Sequence, residues 1–420
     1  DTMVIGMVGL AHLLSHFYQM ALAPLVPLLR EEFSVSYTAL GFVISLMYGV
    51  SGVCQAFVGI LVDRHGADRL MLFGIVTMAS AVFLMAFAPA YWVLLPLAVM
   101  AAFGNCVFHP ADLSILSEKV SPARMGRAFG VHGLGGTIGY FMSPVIILNL
   151  AIFAGWRVAL MTAGVLGLVA AAVIFANRTV LQMPRGSGDG AGREMPGVDF
   201  YRQLVSNLPL MAAFVYFTVI AAAGGGLQQF SVAALIELYD SPVAIAGMAL
   251  TAYLGASAFG IIVGGECADR FPRHALIATT GLALGAFFMG LIAAFVMPMP
   301  AIIALMACAG FFIGMTGPSR DILIRGATPP GATGTVFGFV SSGLDLGSAT
   351  GPILFGWLMD GGEFRFVFVV VAVMYAGGNV LEDFAVSRAE RNLKSLTDRA
   401  PRIAHRHNDG TLEDIDVEQV

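Results

Sequence analysis

Twelve apolar runs, most of them about 20 residues long and nearly free of charge, account for most of this 420-residue chain. Crossing about 30 Å of hydrocarbon as a helix takes about 20 residues, and a backbone exposed to lipid must satisfy its own hydrogen bonds as a helix or a closed barrel. The runs fall near 3–29, 38–62, 70–88, 92–118, 127–149 and 156–177, then near 207–236, 243–265, 275–296, 300–325, 335–358 and 364–386. Barrel strands alternate polar and apolar letters over about ten residues; these runs are apolar on nearly all sides, so twelve helices are expected. The first run is too long and too poor in positive charge at its start for a cleaved signal and is read as a span. Composition agrees, with 58% hydrophobic and 12% charged letters, where an ordinary soluble domain carries about 25% charged residues.

The same letters exclude several classes of function. A net charge of -5 without a basic stripe argues against nucleic acid as a partner. Cys54, Cys106, Cys267 and Cys308 lie far apart, without redox or metal spacing, and read as small hydrophobes. There is no phosphate-binding Gly-rich loop ending in Lys-Ser or Lys-Thr, no nucleophile elbow, no zinc signature and no paired carboxylates on a polar loop. Neither an enzyme nor a resident cofactor is expected.

Polar stretches divide the chain into an N-terminal bundle, 1–177, a Gly-rich linker, 178–206, a C-terminal bundle, 207–387, and a charged tail, 388–420, expected to be exposed and poorly ordered. Threaded with the N-terminus in the cytoplasm, the outer loops hold only Arg30, Arg157 and Arg365, and Arg320 falls inside a helix. The remaining 18 of the 22 Lys and Arg residues lie inside or in the tail, so both termini are assigned to the cytoplasm.

The halves repeat one another at an offset of about 208 residues. Pro110 falls on Pro318, Gly126 on Gly334, Phe129 and Gly130 on Phe337 and Gly338, Gly139 on Gly347, Pro144 on Pro352, and Arg157 on Arg365. Two parallel six-helix bundles about an axis along the membrane normal are a known transporter plan, with the substrate site near mid-membrane between them. The turn holding Gly59, Asp63, Arg64, Gly66 and Arg69, its echo at Asp269 and Arg270, and the repeated glycines make the chain resemble a major facilitator superfamily transporter over essentially its whole length. Asn105 to Pro110 is further similar to the fosmidomycin-resistance-type exporters. The resemblance implies that Asp63, Arg64 and Arg69 form a gate on the cytoplasmic side, stabilising an outward-open state. The fifth helix, with Gly130, Gly139, Ser143 and Pro144, resembles the antiporter signature of drug exporters, with Ser143 in place of a glycine.

Ionisable groups inside spans cost at least about 2.5 kcal/mol at mid-helix and point to a cavity or a partner. His12, His16 and Gln19 share one face of the first helix, and Asn105, His109 and Asp112 share one face of the fourth. Arg320 and Asp321 are adjacent on the tenth, with Thr316 one turn before Arg320. Asp112 and Arg320 are equivalent under the repeat and are expected on opposing walls of one cavity. Arg320 would hold an anionic group on the substrate, or else pair structurally with Asp321. Asp112 or His109 would exchange a proton, with Asp321 and Asp345 as further coupling candidates. His16, Gln19, Asn105, His109, His132, Gln228 and Gln229 complete the substrate-binding candidates. The Gly224 to Gly226 run is expected to loosen the seventh helix. His12, close to the helix start, reads as a core residue.

The expected function is secondary transport by alternating access in a bacterial inner membrane, with lipid, protons and a small molecule as partners and a monomer as the unit. Export of a small, anionic compound or drug against protons leads. Uptake of an organic anion is the alternative, followed by divalent-metal transport on His16, His109 and Asp112.

Overall fold

The computed structural model describes residues 1–121, 124–182, 206–271, 273–326, 333–397, 403–408 and 411–416. The first expected span is broken. α1 (Thr2–Gln19) stops at Met20, a short 3-10 turn (Ala23–Leu25) follows, and α2 (Val26–Phe33) finishes the crossing. Pro24 explains the stop, since a proline has no N–H to donate and its ring clashes with the carbonyl four residues back, here that of Met20. The fourth span breaks the same way. α5 (Tyr91–Asn105) ends at Cys106, four residues before Pro110, and α6 (Phe108–Lys119) resumes. Both breaks lie inside runs that read as single spans.

The other spans are continuous. α3 (Tyr37–His65), α4 (Ala67–Met85), α7 (Met125–Ala154) and α8 (Trp156–Ala176) complete the first half. The second half holds α9 (Leu208–Tyr239), α10 (Val243–Arg270), α11 (His274–Ala294), α12 (Met299–Gly326), α13 (Thr333–Asp360) and α14 (Phe366–Thr397). Among the described residues, 10 segments are long and apolar enough to cross a membrane, with Thr2–Phe33 and Tyr91–Lys119 each counted as one. α13 and the apolar Phe366–Leu381 part of α14 complete the twelve. α14 runs past its expected end at 386 into the charged tail, and the tail then forms a hairpin, β1 (Ile403–Asn408) against β2 (Thr411–Asp416), with Ile403 opposite Asp416. This corrects the expectation of an unstructured tail there.

Small residues set the packing inside each half. A Cβ on Gly139 of α7 would stand 2.2 Å from the Leu13 carbonyl of α1, and one on Gly347 of α13 would stand 2.2 Å from the Thr218 carbonyl of α9. The repeated glycines are therefore backbone-to-backbone seams between the first and fifth helices of each half. The repeated arginines share a task as well: Arg157 donates to the Ala88 carbonyl, just past the end of α4, and Arg365 to the Ala293 carbonyl, at the end of α11. Each ties the last helix of its half to the exposed carbonyls closing the third.

The face carrying the start of α1 and the α3–α4 turn is the near face; Tyr37 and Asp360 lie on the opposite, far face. The halves meet along α3 and α13 and along α7 and α10. Gly41 abuts the Pro352 carbonyl, Gly52 abuts Asp345, Phe141 abuts Gly255 and Leu148 abuts Gly247, all from mid-membrane to the far face. Toward the near face the crossing helices leave room: nothing lies within 4 Å of a Cβ built on Gly130 or Gly133 of α7 or on Gly265 of α10. The described halves thus touch toward one side of the membrane and separate toward the other.

Candidate functional site

The two helix breaks lie side by side and expose amides to one another. Gln19, closing α1, donates from Nε2 to Asn105 Oδ1, closing α5, at 2.7 Å, and Asn105 Nδ2 donates to Ser51 Oγ of α3 at 2.8 Å. The Tyr140 hydroxyl of α7 donates to Gln19 Oε1 at 2.6 Å and in turn accepts from Tyr48 of α3. Gln19 and Asn105, predicted as substrate contacts, are thus brought together and mutually satisfied. Tyr48 and Tyr140 were not predicted; their signal was weak, a phenol in the middle of each of two apolar helices.

Asp345 adjoins this chain from the other half. It sits near the middle of α13 against Gly52 near the middle of α3, with Oδ2 3.5 Å from where a Gly52 Cβ would stand, and both Tyr48 and Tyr140 lie within electrostatic range. It is half-buried. Asp345, a coupling candidate from the sequence, lies on the seam between the halves.

A second layer lies toward the near face, wholly within the first half. Asp112 of α6 is completely buried, and its Oδ2 stands 3.1 Å from His12 Nδ1 and 3.2 Å from His132 Nε2. The His12 and His132 rings stack with centroids 3.6 Å apart. His16 lies 4.6 Å from His12 and 4.4 Å from Tyr140, and His109, which is exposed, lies 5.2 Å from His12, centroid to centroid. Gly136 makes room for this crowding, since a Cβ there would meet His12 Nε2 at 3.0 Å. Four histidines from three helices therefore cluster in one place, two of them on one carboxylate. His12, read as a bland core residue, is a full member, and its i, i+4 spacing to His16 was the signal.

The expectation that Asp112 faces Arg320 across a cavity is not met. Asp112 is sealed between α1, α6 and α7, where His12 and His132 supply the hydrogen-bond partners that a buried carboxylate requires. Arg320 of α12 is half-buried, its guanidinium 4.8 Å from the centre of the Phe217 ring of α9. Thr316 is buried and turns its hydroxyl back onto the Ile313 carbonyl. The Asp321 side chain lies outside the described residues.

Gln229 is buried, its Nε2 4.0 Å from Met20 Sδ at the break in the first span, and Gln228 is half-buried near Gly224. The run Gly224 to Gly226 does not loosen α9, which is continuous; Gly226 instead admits the Phe355 ring of α13, whose Cδ2 would be 2.1 Å from a Cβ there. Of the gating candidates, Asp63 and Arg64 fall in the last turn of α3 rather than in the following turn, and their side chains, like that of Asp269, lie outside the described residues. Arg69 is exposed on α4. Arg270 pairs with Glu266 one turn earlier in its own helix, at 2.6 Å, and both are exposed.

The far face carries contacts that the sequence did not reveal. Asp360, ending α13, accepts from the Tyr37 and Thr38 backbone N–H groups at 2.7 and 2.8 Å and from the Thr38 hydroxyl. It thereby caps α3 of the other half. Glu237 of α9 accepts from the Tyr37 hydroxyl at 3.0 Å and pairs with Arg30 of α2 at 3.4 Å.

Two parallel, glycine-seamed bundles with a polar layer at mid-membrane match what comparison finds. The family model of the Major Facilitator Superfamily matches residues 8–242 and 217–400. The chain belongs to this superfamily. It is 24% identical over 289 residues to a fosmidomycin resistance protein of Escherichia coli (strain K12), covering 68% of this chain and 69% of that one. It is 27% identical over 372 residues to the multidrug resistance protein MdtG of Proteus mirabilis (strain HI4320), covering 84% and 88%. In fold it is similar to a bacterial homologue of the human lysosomal transporter Spinster, solved in an inward-facing and occupied conformation, with a TM-score of 0.70, 17% identity and coverage of 95% and 98%. As a superfamily member the chain is a multi-pass membrane transporter of small molecules.

Proposed function

We propose that this chain is a secondary transporter working by alternating access, which exports a small anionic compound in exchange for protons across a bacterial inner membrane, with both termini in the cytoplasm. The observation that carries the coupling is the placement of Asp345, a carboxylate of the second half held at mid-membrane against Gly52, Tyr48 and Tyr140 of the first. A carboxylate on the seam that must part and re-form is loaded with a proton in one state and released from it in the other, because each state offers different solvent and different partners. Asp345 takes this role in place of Asp112, which is fully buried within the first half and paired with His12 and His132.

Arg320 is the anion-holding residue of the reading, since a guanidinium matches carboxylate and phosphorus oxyanions in geometry. Asp63, Arg64 and Arg69 form the cytoplasmic latch, engaged when the near face closes. The likeness to a fosmidomycin resistance protein makes fosmidomycin the first probe.

The test is flux in proteoliposomes. With the natural chain, an imposed pH gradient drives fosmidomycin uphill. Asp345→Asn loses this drive by at least about tenfold, one 1.4 kcal/mol step, yet still exchanges the probe between compartments without a gradient. Unchanged gradient-driven flux in the variant removes Asp345 from coupling. Arg320→Ala abolishes flux of the anionic probe in a folded protein; normal flux would remove Arg320 from the substrate site.

A further inference from the structure

We propose that the first half contains a transition-metal site, with His12, His109 and His132 as its ligands and Asp112 as the carboxylate that orients two of them. This goes beyond the transport reading and does not rest on it. One ring nitrogen from each of the three histidines lies within 4.8 Å of the other two. A tetrahedral ion with bonds of about 2.0–2.1 Å holds its ligand nitrogens roughly 3.4 Å apart, so the rings close on an ion by small side-chain adjustments.

The surroundings of the three rings are those of a metal centre. Metal-bound histidines characteristically donate their second ring N–H to a carboxylate, which fixes the tautomer and aims the lone pair. His12 Nδ1 and His132 Nε2 both lie against Asp112 Oδ2, at 3.1 and 3.2 Å. Donation there by both neutral rings leaves His12 Nε2 and His132 Nδ1 as lone pairs on two stacked rings. Gly136 keeps the space beside His12 Nε2 clear of a side chain.

Three buried polar atoms in the same place have no partner: Asp112 Oδ1, His16 Nδ1 and His16 Nε2. Buried polar atoms are nearly always paired, and a cluster of such exceptions beside three neighbouring imidazoles marks a missing ligand. An ion carrying a water in its fourth position would give His16 something to bond. His109 is exposed while His12 and His132 are buried, so the site reaches the surface of the first half through His109.

The ligand chemistry selects the ion. Three imidazoles with a neighbouring carboxylate suit Zn²⁺, Co²⁺, Ni²⁺ or Cu²⁺ and not Mg²⁺ or Ca²⁺, which take oxygen ligands. The ligand set differs from the His16, His109 and Asp112 grouping that the sequence suggests: Asp112 stands behind His12 and His132, and His16 stands beside them.

The experiment titrates full-length, tag-free protein, stripped with EDTA in detergent, with Zn²⁺, Co²⁺ and Mg²⁺ by calorimetry, and records the visible spectrum of the Co²⁺ form. One equivalent of Zn²⁺ or Co²⁺ binds, Mg²⁺ does not, and Co²⁺ shows the strong visible bands of a tetrahedral site. Asp112→Asn weakens Zn²⁺ binding by about 10–100-fold, as loss of an orienting partner does. His109→Gln, an exposed substitution that leaves the core intact, abolishes the Co²⁺ bands with an unchanged unfolding temperature. Binding below one equivalent, or Co²⁺ bands unaltered in His109→Gln, overturns the site. Proton-driven flux in chelated buffer without Zn²⁺ binding would defeat the metal site alone; Zn²⁺ binding with Asp345→Asn flux unaltered would defeat only the coupling.

Discussion

A methyl group at position 139 would stand 2.2 Å from the Leu13 carbonyl oxygen, whereas one at position 133, two turns earlier on the same helix, would meet nothing within 4 Å. Two glycines of α7 are thus chemically alike and energetically opposite. Gly139→Ala should force α1 and α7 apart and destabilise the protein by about 1–3 kcal/mol, while Gly133→Ala should stay within about 0.5 kcal/mol of the natural chain. Thermal unfolding in detergent separates them, and equal losses would contradict the seam. At this scale the sequence was uneven. It offered Gln19, Asn105, His16, His109, His132 and Asp345, because a polar letter inside an apolar run needs a reason. It could not pair them, since a helix face shows spacing and not the identity of the opposite face. Asp112 was matched with Arg320 by the repeat and is matched with His12 and His132 by packing. Tyr48 and Tyr140 went unnoticed because a phenol is at home in an apolar helix.

At the scale of elements, α3 and α13 lie antiparallel on opposite halves, and the carboxylate ending α13 caps the first turn of α3. A helix start exposes N–H groups that attract an anion; Ser36 takes the Ala39 N–H of α3, and Asp360 supplies from the other half the acceptors for Tyr37 and Thr38. An N-cap contributes about 1 kcal/mol, and here that amount favours the state in which the far faces touch. Asp360→Ala should therefore shift the balance roughly fivefold toward opening on the far side. The check is labelling of Ala349→Cys, set against Gly49 in the α3–α13 seam, by an impermeant reagent added to that side. A rate equal to that of the parent would mean that the cap is ornamental. No reading of residues 358–360 announces this contact, because Asp360 reads as an ordinary charged loop boundary until its distant partner is known. The helix breaks at Met20 and Cys106 were legible in principle, each four residues before a proline, but Pro96, Pro144, Pro318 and Pro352 sit inside continuous helices, so proline alone did not decide.

For the whole molecule, hydropathy and the offset of about 208 residues carried the fold. Twelve spans, two bundles, and the shared glycine and arginine seams follow from letters that repeat. The chemistry does not repeat. His12, His16, His109 and His132 correspond to Ile220, Gly224, Gly317 and Val340, so the repeat carries the frame and the first half alone holds imidazoles at these four positions. A frame closed on the far side and open on the near side works only if the two halves exchange these roles, and that exchange is the central claim. Spin-label distances measure it directly. On a background with Cys54, Cys106, Cys267 and Cys308 replaced, one pair is placed at Phe129 and Ile262 and a second at Phe153 and Ile245. All four positions are exposed, and both pairs lie on α7 and α10. In Asp360→Ala, the near pair should gain a shorter distance and the far pair a longer one, in equal proportion. Distances that stay fixed, or that lengthen together, would contradict the rocking of two rigid halves.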